Sequence, residues 1–319
     1  MSKRSLFWGN ASGKLGEAVL YRAGGEQRAR TYVKNVKNPR TRAQMLNRVS
    51  MGNLSSFFRA NASLLRQSFT NRPSNQSGFN AFVKASKSAA SAAIPRDAAM
   101  MGYNIPVGLA VSRGVLPFET AHTLRELGSG SSRKAAILLL KLGKKANSPF
   151  EPYFDFSEDN TTFLQAINDA VSASTFTKNE ALPAKFSVCA VVSEYEDEGF
   201  KSTPYRIEMQ QGSGSTPFSI IEGSVAPTRY ESHPFCLVTD TDGSFYIAVC
   251  GIEGDDAGNG AAYAAGFVAA RDANGKINCS SSDMMLVGGN ASYADQWLPN
   301  GQLYNETLDA LGVGAASIV

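Results

Sequence analysis

Residues 18 to 34 alternate as a two-stranded ribbon should, with Val19 and Tyr21 on one face and Ala18, Leu20 and Arg22 on the other. Gly24-Gly25 supplies a turn, and the return run Arg28 to Lys34 sets Arg28, Arg30, Tyr32 and Lys34 on one face, because the strand period is two. The period then lengthens. Asn38-Pro39-Arg40-Thr41 starts a helix, with Asn as cap and Pro where no N–H is needed, and the spacing of Met45, Val49, Leu54, Phe57, Phe58, Leu65 and Phe69 carries it to about Thr70. Gly52 is its expected weak point, costing about 1 kcal/mol against Ala and marking a bend. A second helix is predicted from Ser77, with Phe79, Phe82, Val83 and Ala90 inward, ending by Pro95. Residues 103 to 120 read as an extended segment interrupted by Pro106 and Pro117.

Gly128-Ser129-Gly130-Ser131-Ser132 has a linker composition, and the apolar run Lys134 to Leu142 behind it fits neither period. One helix is expected within Asp155 to Ala173. Beyond it come short β-rich runs: Phe186–Val192, Tyr205–Met209, Phe218–Ile221, Phe235–Val238, Phe245–Cys250 and Ala264–Ala270. Asp240-Thr241-Asp242-Gly243 and Asp272-Ala273-Asn274-Gly275 are turns between them. The expected fold is α+β: a basic hairpin-plus-helices part over residues 1–127, a linker and connecting segment over 128–150, and an acidic, antiparallel β-rich, sandwich-like domain over 151–319.

Charge changes this picture more than composition does. The 319 residues carry a formal charge of only +3, but residues 1–150 hold 24 Lys and Arg against 5 Asp and Glu, whereas 151–319 hold 7 against 23. At 43% hydrophobic and 18% charged residues, the chain has ample material for a core and is not a disordered polyelectrolyte. The first ten residues lack the apolar stretch of a signal peptide, and no run is long and apolar enough for a membrane span, so synthesis in the cytoplasm is expected. Cys189, Cys236, Cys250 and Cys279 show no C-x-x-C pair and read as buried reduced thiols.

No constellation for catalysis is found. Gly9 to Lys14 is one residue short of a phosphate loop and follows no apolar strand, and Gly212-Ser213-Gly214-Ser215 is a turn. Asp240 to Gly243 and Glu253 to Asp256 lack the distal bidentate Glu of a calcium loop. His122 and His233 have no nucleophile beside them, and Glu194, Glu196, Asp197 and Glu198 form a solvated strand end. The basic half differs in kind. Arg22, Arg28, Arg30, Lys34, Lys37, Arg40, Arg42 and Arg48, interleaved with Tyr21, Tyr32, Phe57 and Phe58, are what phosphate binding and base stacking require. The same charge also suits the acidic half of a neighbouring copy.

Gly13-Lys14-x-Gly16, the Arg-rich hairpin, Asn38-Pro39-Arg40-Thr41-x-x-Gln44-x-x-x-Arg48, Phe57-Phe58, Ser77-Gly78-Phe79-Asn80 and Val111-Ser112-Arg113-Gly114 follow in order. Over about the first 117 residues this series resembles an uncharacterised family common in Bacteroidota genomes and mobile elements. The resemblance implies a basic N-terminal portion before a β-rich one, and it brings no activity with it; the C-terminal half here is longer and more acidic than that pattern. The expectation is a non-enzymatic, self-associating structural protein of a phage or mobile element, a virion component without a cofactor or metal. Its basic half docks on another copy, on another structural subunit or on nucleic acid such as DNA. A nucleic-acid-binding protein is the first alternative and a hydrolase using the carboxylates of the acidic half the second.

Overall fold

The computed structural model describes residues 12–23, 25–34, 41–89, 106, 108–116, 119, 121–127, 134–146, 154–155, 160–171, 175–196, 199–212, 217–221, 234–240, 242–250 and 261–286. Among these the chain is a mixed α+β, strand-rich protein. Strands β1 (Gly13–Leu15), β2 (Ala18–Ala23) and β3 (Glu26–Thr31) form an antiparallel three-stranded sheet in that order. The register Ala23 to Glu26 closes β2–β3 over two residues, and Gly25, with φ 82°, takes the left-handed conformation such a turn demands.

Helix α1 (Arg42–Ala60) begins at Thr41, whose extended backbone and side-chain oxygen, accepting from the Gln44 N–H at 3.4 Å, make it the cap in place of the expected Asn38. The long helix does break, but at Asn61 and not at Gly52. There the side-chain Nδ2 donates to the Phe57 carbonyl at 3.0 Å, beside the backbone N–H that already uses it, and α2 (Ala62–Ser68) restarts beyond. Helix α3 (Gly78–Ser86) starts as its sequence predicts, with the Ser77 hydroxyl accepting from the Asn80 N–H at 3.2 Å. A Cβ on Gly78 would lie 2.7 Å from the Arg66 carbonyl oxygen, so the glycine is what lets α3 meet α2.

The remaining elements are β4 (Ala110–Ser112), β5 (Thr123–Leu127), β6 (Lys134–Lys145), β7 (Phe154–Asp155), α4 (Asn160–Val171), β8 (Phe176–Lys178), β9 (Lys185–Glu196), β10 (Gly199–Gln211), β11 (Phe218–Ile220), β12 (Phe235–Thr239), β13 (Ser244–Cys250), β14 (Ala261–Arg271), β15 (Ile277–Cys279), β16 (Ser282–Asp283) and β17 (Met285–Leu286). One sheet runs β11-β10-β9-β14-β15 with β17 on β14. A second runs β5-β6-β13-β12-β7 with β8 on β6, and β16 pairs β4 separately. Residues 134–145, within the stretch read as a connecting segment, thus sit between β5 and β13, while the Gly-Ser run 128–132 lies outside the described residues.

Period-two alternation decides what each strand buries. Phe186, Val188, Ala190 and Val192 of β9 and Tyr205, Ile207 and Met209 of β10 share one core with Leu139 of β6, Leu237 of β12, Ile247 and Val249 of β13, and Phe163 and Ile167 of α4. The opposite face of β9 and β14, with Val191, Ala265 and Phe267, shares a different core with Leu54, Phe57, Leu65 and Phe82 of the helices. β9 and β14 are therefore covered on both sides, which is why their sequences read as continuous apolar runs. β6 is covered likewise, with Ala136 and Leu138 in a third cluster, and so its sequence shows no period.

Phe57 and Phe58 are part of this packing, not of a stacking surface. Phe57 is fully buried and stacks on Phe82 at 5.9 Å between ring centroids, and Phe58 meets Phe79 edge-on at 5.1 Å. The Val111-Ser112-Arg113-Gly114 series proves structural as well. The Ser68 hydroxyl donates to the Val111 carbonyl at 2.6 Å, the Ser112 hydroxyl to the Ser280 carbonyl at 2.6 Å, and Arg113 Nη1 to the Ser282 carbonyl at 3.0 Å. The Arg113 guanidinium also pairs with Asp283, so residues far apart in sequence are tied beneath the helices.

The cysteines divide. Cys189 and Cys279 are free and buried as expected, but Cys236 is disulfide-bonded. Its register partner on β13 is Ala248, two residues before Cys250, so the pairing of strands places both cysteines on one face of the sheet, a proximity that spacing along the chain conceals. The Asp242 and Asp272 turns are hairpin turns: Gly243 and Gly275 have φ of 83° and 76°, and each N–H returns to the Asp carbonyl three residues before it at 2.9 Å. Glu194 and Glu196 stand at the end of β9, paired with Lys201 and Gly199 of β10, while Asp197 and Glu198 lie outside the described residues.

Candidate functional sites

Two surfaces qualify. The first is one face of the β1–β3 sheet. Cross-strand partners share a face, and the register sets Lys14 opposite Val19, Val19 opposite Arg30, and Tyr21 opposite Arg28. Lys14, Tyr21, Arg28 and Arg30 therefore line one side and are exposed, with Tyr21 39% and Tyr32 40% accessible. Lys14 Nζ stands 3.8 Å from the centroid of the Tyr32 ring, a cation held over an aromatic face. The Glu26 carboxylate lies 3.5 Å from the Arg28 guanidinium, and both partners are largely solvated.

Of the sequence-predicted site residues, Arg28 and Arg30 are brought together. Arg22, paired with Gln27, is exposed on the reverse face, and Lys34 is exposed beyond the end of β3. Arg48 is exposed on α1, a separate element, and Arg42 opens that helix. Lys37 and Arg40 lie outside the described residues, as does His233. Lys14, quoted in the sequence only as part of a motif, proves a member of the basic face; its β1 partnership with β2 is the signal that alternation alone does not carry. Gly13 and Lys14 are strand residues, not a phosphate-binding loop.

The second surface was not expected from the sequence. A cavity of about 470 Å³ opens between α2 and the helix-facing side of β10, β9, β14 and β15. The register lays out its floor in rows. Arg206, Cys189 and Phe267 form the first; Glu208, Ser187, Ala269 and Cys279 the second. Lys185 and Arg271 stand one residue beyond the paired Phe186 and Ala270 at the near end. The small side chains of the middle row make the depression, and Ser63, Leu64 and Gln67 of α2 wall it.

Its electrostatics are lopsided, with Lys185, Arg206 and Arg271 against the single carboxylate Glu208. Arg206 pairs with Glu208 and donates to Ser187 Oγ at 3.4 Å, while its Nε is buried without a hydrogen-bond partner. Burial pushes the Cys279 thiol up to about 12 and the Cys189 thiol higher still, so both are protonated, inert linings and not nucleophiles. Among the described residues no group of three or more His, Cys, Asp or Glu could hold a metal ion, and no helix is long and apolar enough to cross a membrane.

No protein-family model, curated protein or solved structure matches this chain.

Proposed function

We propose that the protein is a non-enzymatic, self-associating structural subunit of a phage or mobile element, in which the β1–β3 sheet is an arm that docks on the acidic half of a neighbouring copy. Its body is a sandwich-like pair of sheets sharing one core, and its setting is a virion. The observation that carries the proposal is the arm itself. Its strands pair with no other described strand; Leu15 of β1, on the face opposite the basic one, is 53% exposed, and Val33, just past the end of β3, is 60% exposed. Apolar side chains on a thin sheet ask for a cover, and the charge split between the halves makes a second copy a complementary one. A contact of arm on body is heterologous, of the kind that closes into rings or extends into filaments. The N-terminal resemblance supports the mobile-element setting.

The test is light scattering or mass photometry of the purified chain across salt. Large species at low salt that dissociate as salt rises, and that Arg28→Glu with Arg30→Glu converts to monomers, are expected. A monomer at every salt and concentration overturns the proposal. Nucleic acid is the second reading, favoured by Tyr21 and Tyr32 beside Lys14, Arg28 and Arg30, a stacking-and-phosphate surface. It requires absorbance at 260 nm that co-purifies until nuclease is added, and an affinity that falls steeply with salt.

A further inference from the structure

We infer that the cavity under α2 is a binding site for a small amphipathic anion, independent of the assembly role of the arm. Three observations converge. A volume of about 470 Å³ lies within the range of about 300–1,000 Å³ that small-molecule sites occupy, and this one is floored by protein on strands and walled by a helix, the rigid placement such sites use. Its cations outnumber its carboxylate three to one, and they stand at the two ends of the floor: Arg206 in the first row, Lys185 and Arg271 past the last. Besides Glu208, the lining beside and between these cations is apolar or small, with Phe267, Ala269, Ser187 and Leu64.

Arg206 is the anchor. A guanidinium offers five donors in a planar fork, and its Nε is buried and unpartnered in this structure. The side chain as a whole is 44% exposed and lines the cavity, so a ligand carboxylate, sulfonate or phosphate oxygen there takes a charge-assisted hydrogen bond from it. Glu208 competes for the same guanidinium. The ligand's apolar part would lie over Phe267 and Ala269.

The probe is 8-anilino-1-naphthalenesulfonate, titrated into the full chain by fluorescence and calorimetry, with urea melts confirming that each variant folds. Saturable binding at one site is expected. Arg206→Met should weaken it about tenfold or more, the worth of a charge-assisted bond. Arg206→Lys should fall between, and Ala269→Trp, which fills the floor, should abolish binding. Glu208→Gln should tighten it by releasing Arg206, a change of opposite sign that general damage to the fold does not produce. Competition separates the head groups: octanoate displacing the probe identifies a carboxylate site, octyl phosphate a phosphate site. Displacement by octanol as effective as by either anion overturns the inference, as does binding that survives Ala269→Trp, or a probe that does not saturate.

Discussion

At Gly266 the two large sheets approach closely, and replacing it tests their packing. It lies on β14 opposite Ala190, and a Cβ there would sit 2.3 Å and 2.5 Å from the two methyl carbons of Leu139 on β6. Leu139 is fully buried, so its methyls have nowhere to swing without displacing the shared core. Gly266→Ala should therefore cost about 1–3 kcal/mol as overpacking. Leu139→Ala alone should cost about 2–5 kcal/mol, the transfer and cavity penalty of a buried leucine. Combined, the new methyl enters the space the leucine left. The double mutant should be less destabilised than the sum by about 1–3 kcal/mol, a coupling typical of residues in contact. Urea denaturation followed by circular dichroism, with linear extrapolation and comparison of slopes, measures all four corners of the cycle. Additivity within about 0.5 kcal/mol would refute face-to-face packing of β14 on β6 at this point.

Further outcomes follow from single positions. Gly52→Ala should stabilise the protein by about 0.5–1 kcal/mol, since the glycine is helical and nothing lies within 4 Å of the added Cβ; a loss of stability in the same urea assay would contradict it. Gly114→Ala should cost about 3 kcal/mol or more, because its Cβ would fall 2.0 Å from the Cys279 carbonyl oxygen, a backbone atom that cannot turn aside; an unchanged melting temperature would show that the segment after β4 does not meet β15 so closely. His122 has both ring nitrogens buried without partners, and burial lowers its pKa against the opposing pull of Asp283. The unfolded chain then takes up the proton first. The stability that the neutral ring confers is present above about pH 6.5 and is lost as pH falls from there through the lower folded value. Thermal melts from pH 7.5 down to 5 should show this loss, and His122→Phe should flatten it; equal slopes in the two proteins would exclude His122 as its source.

The alternation of the arm and the start of α3 were legible in the sequence because each is set by a local pattern, whereas α1 starts at Thr41 and not at Asn38. Alternation in residues 18 to 34 survives as β2 and β3, and Ser77 caps α3. Legibility failed where burial is two-sided. β6 has a core on either face, and its run of leucines gives no period to read. Phe57 and Phe58 look like free aromatics in a basic region, yet their helical spacing with Leu54 and Leu65 already marked them as core, and they are. The cavity was half readable. Arg206 and Glu208 alternate with Tyr205, Ile207 and Met209, which puts two charges on the face turned away from the shared core. The depression beside them comes from Ser187, Ala269 and Cys279, which meet only through strand register across more than 90 residues of chain, and no local pattern encodes that.

The bond between the Ser112 hydroxyl and the Ser280 carbonyl, with the Arg113 clamp on Ser282, joins the segment after the helices to strands made near the other end of the described chain. The helices leave the ribosome early, but the sheet face they cover is not complete until β15 and β16 follow, about 200 residues later. At about 5–20 residues per second the wait is about 10–40 s. Through that interval the buried face of α1–α3, with Leu54, Phe57 and Phe82, has no sheet to rest on. A chain in that state exposes apolar side chains that the finished fold hides, within a stretch whose dense positive charge opposes its self-association.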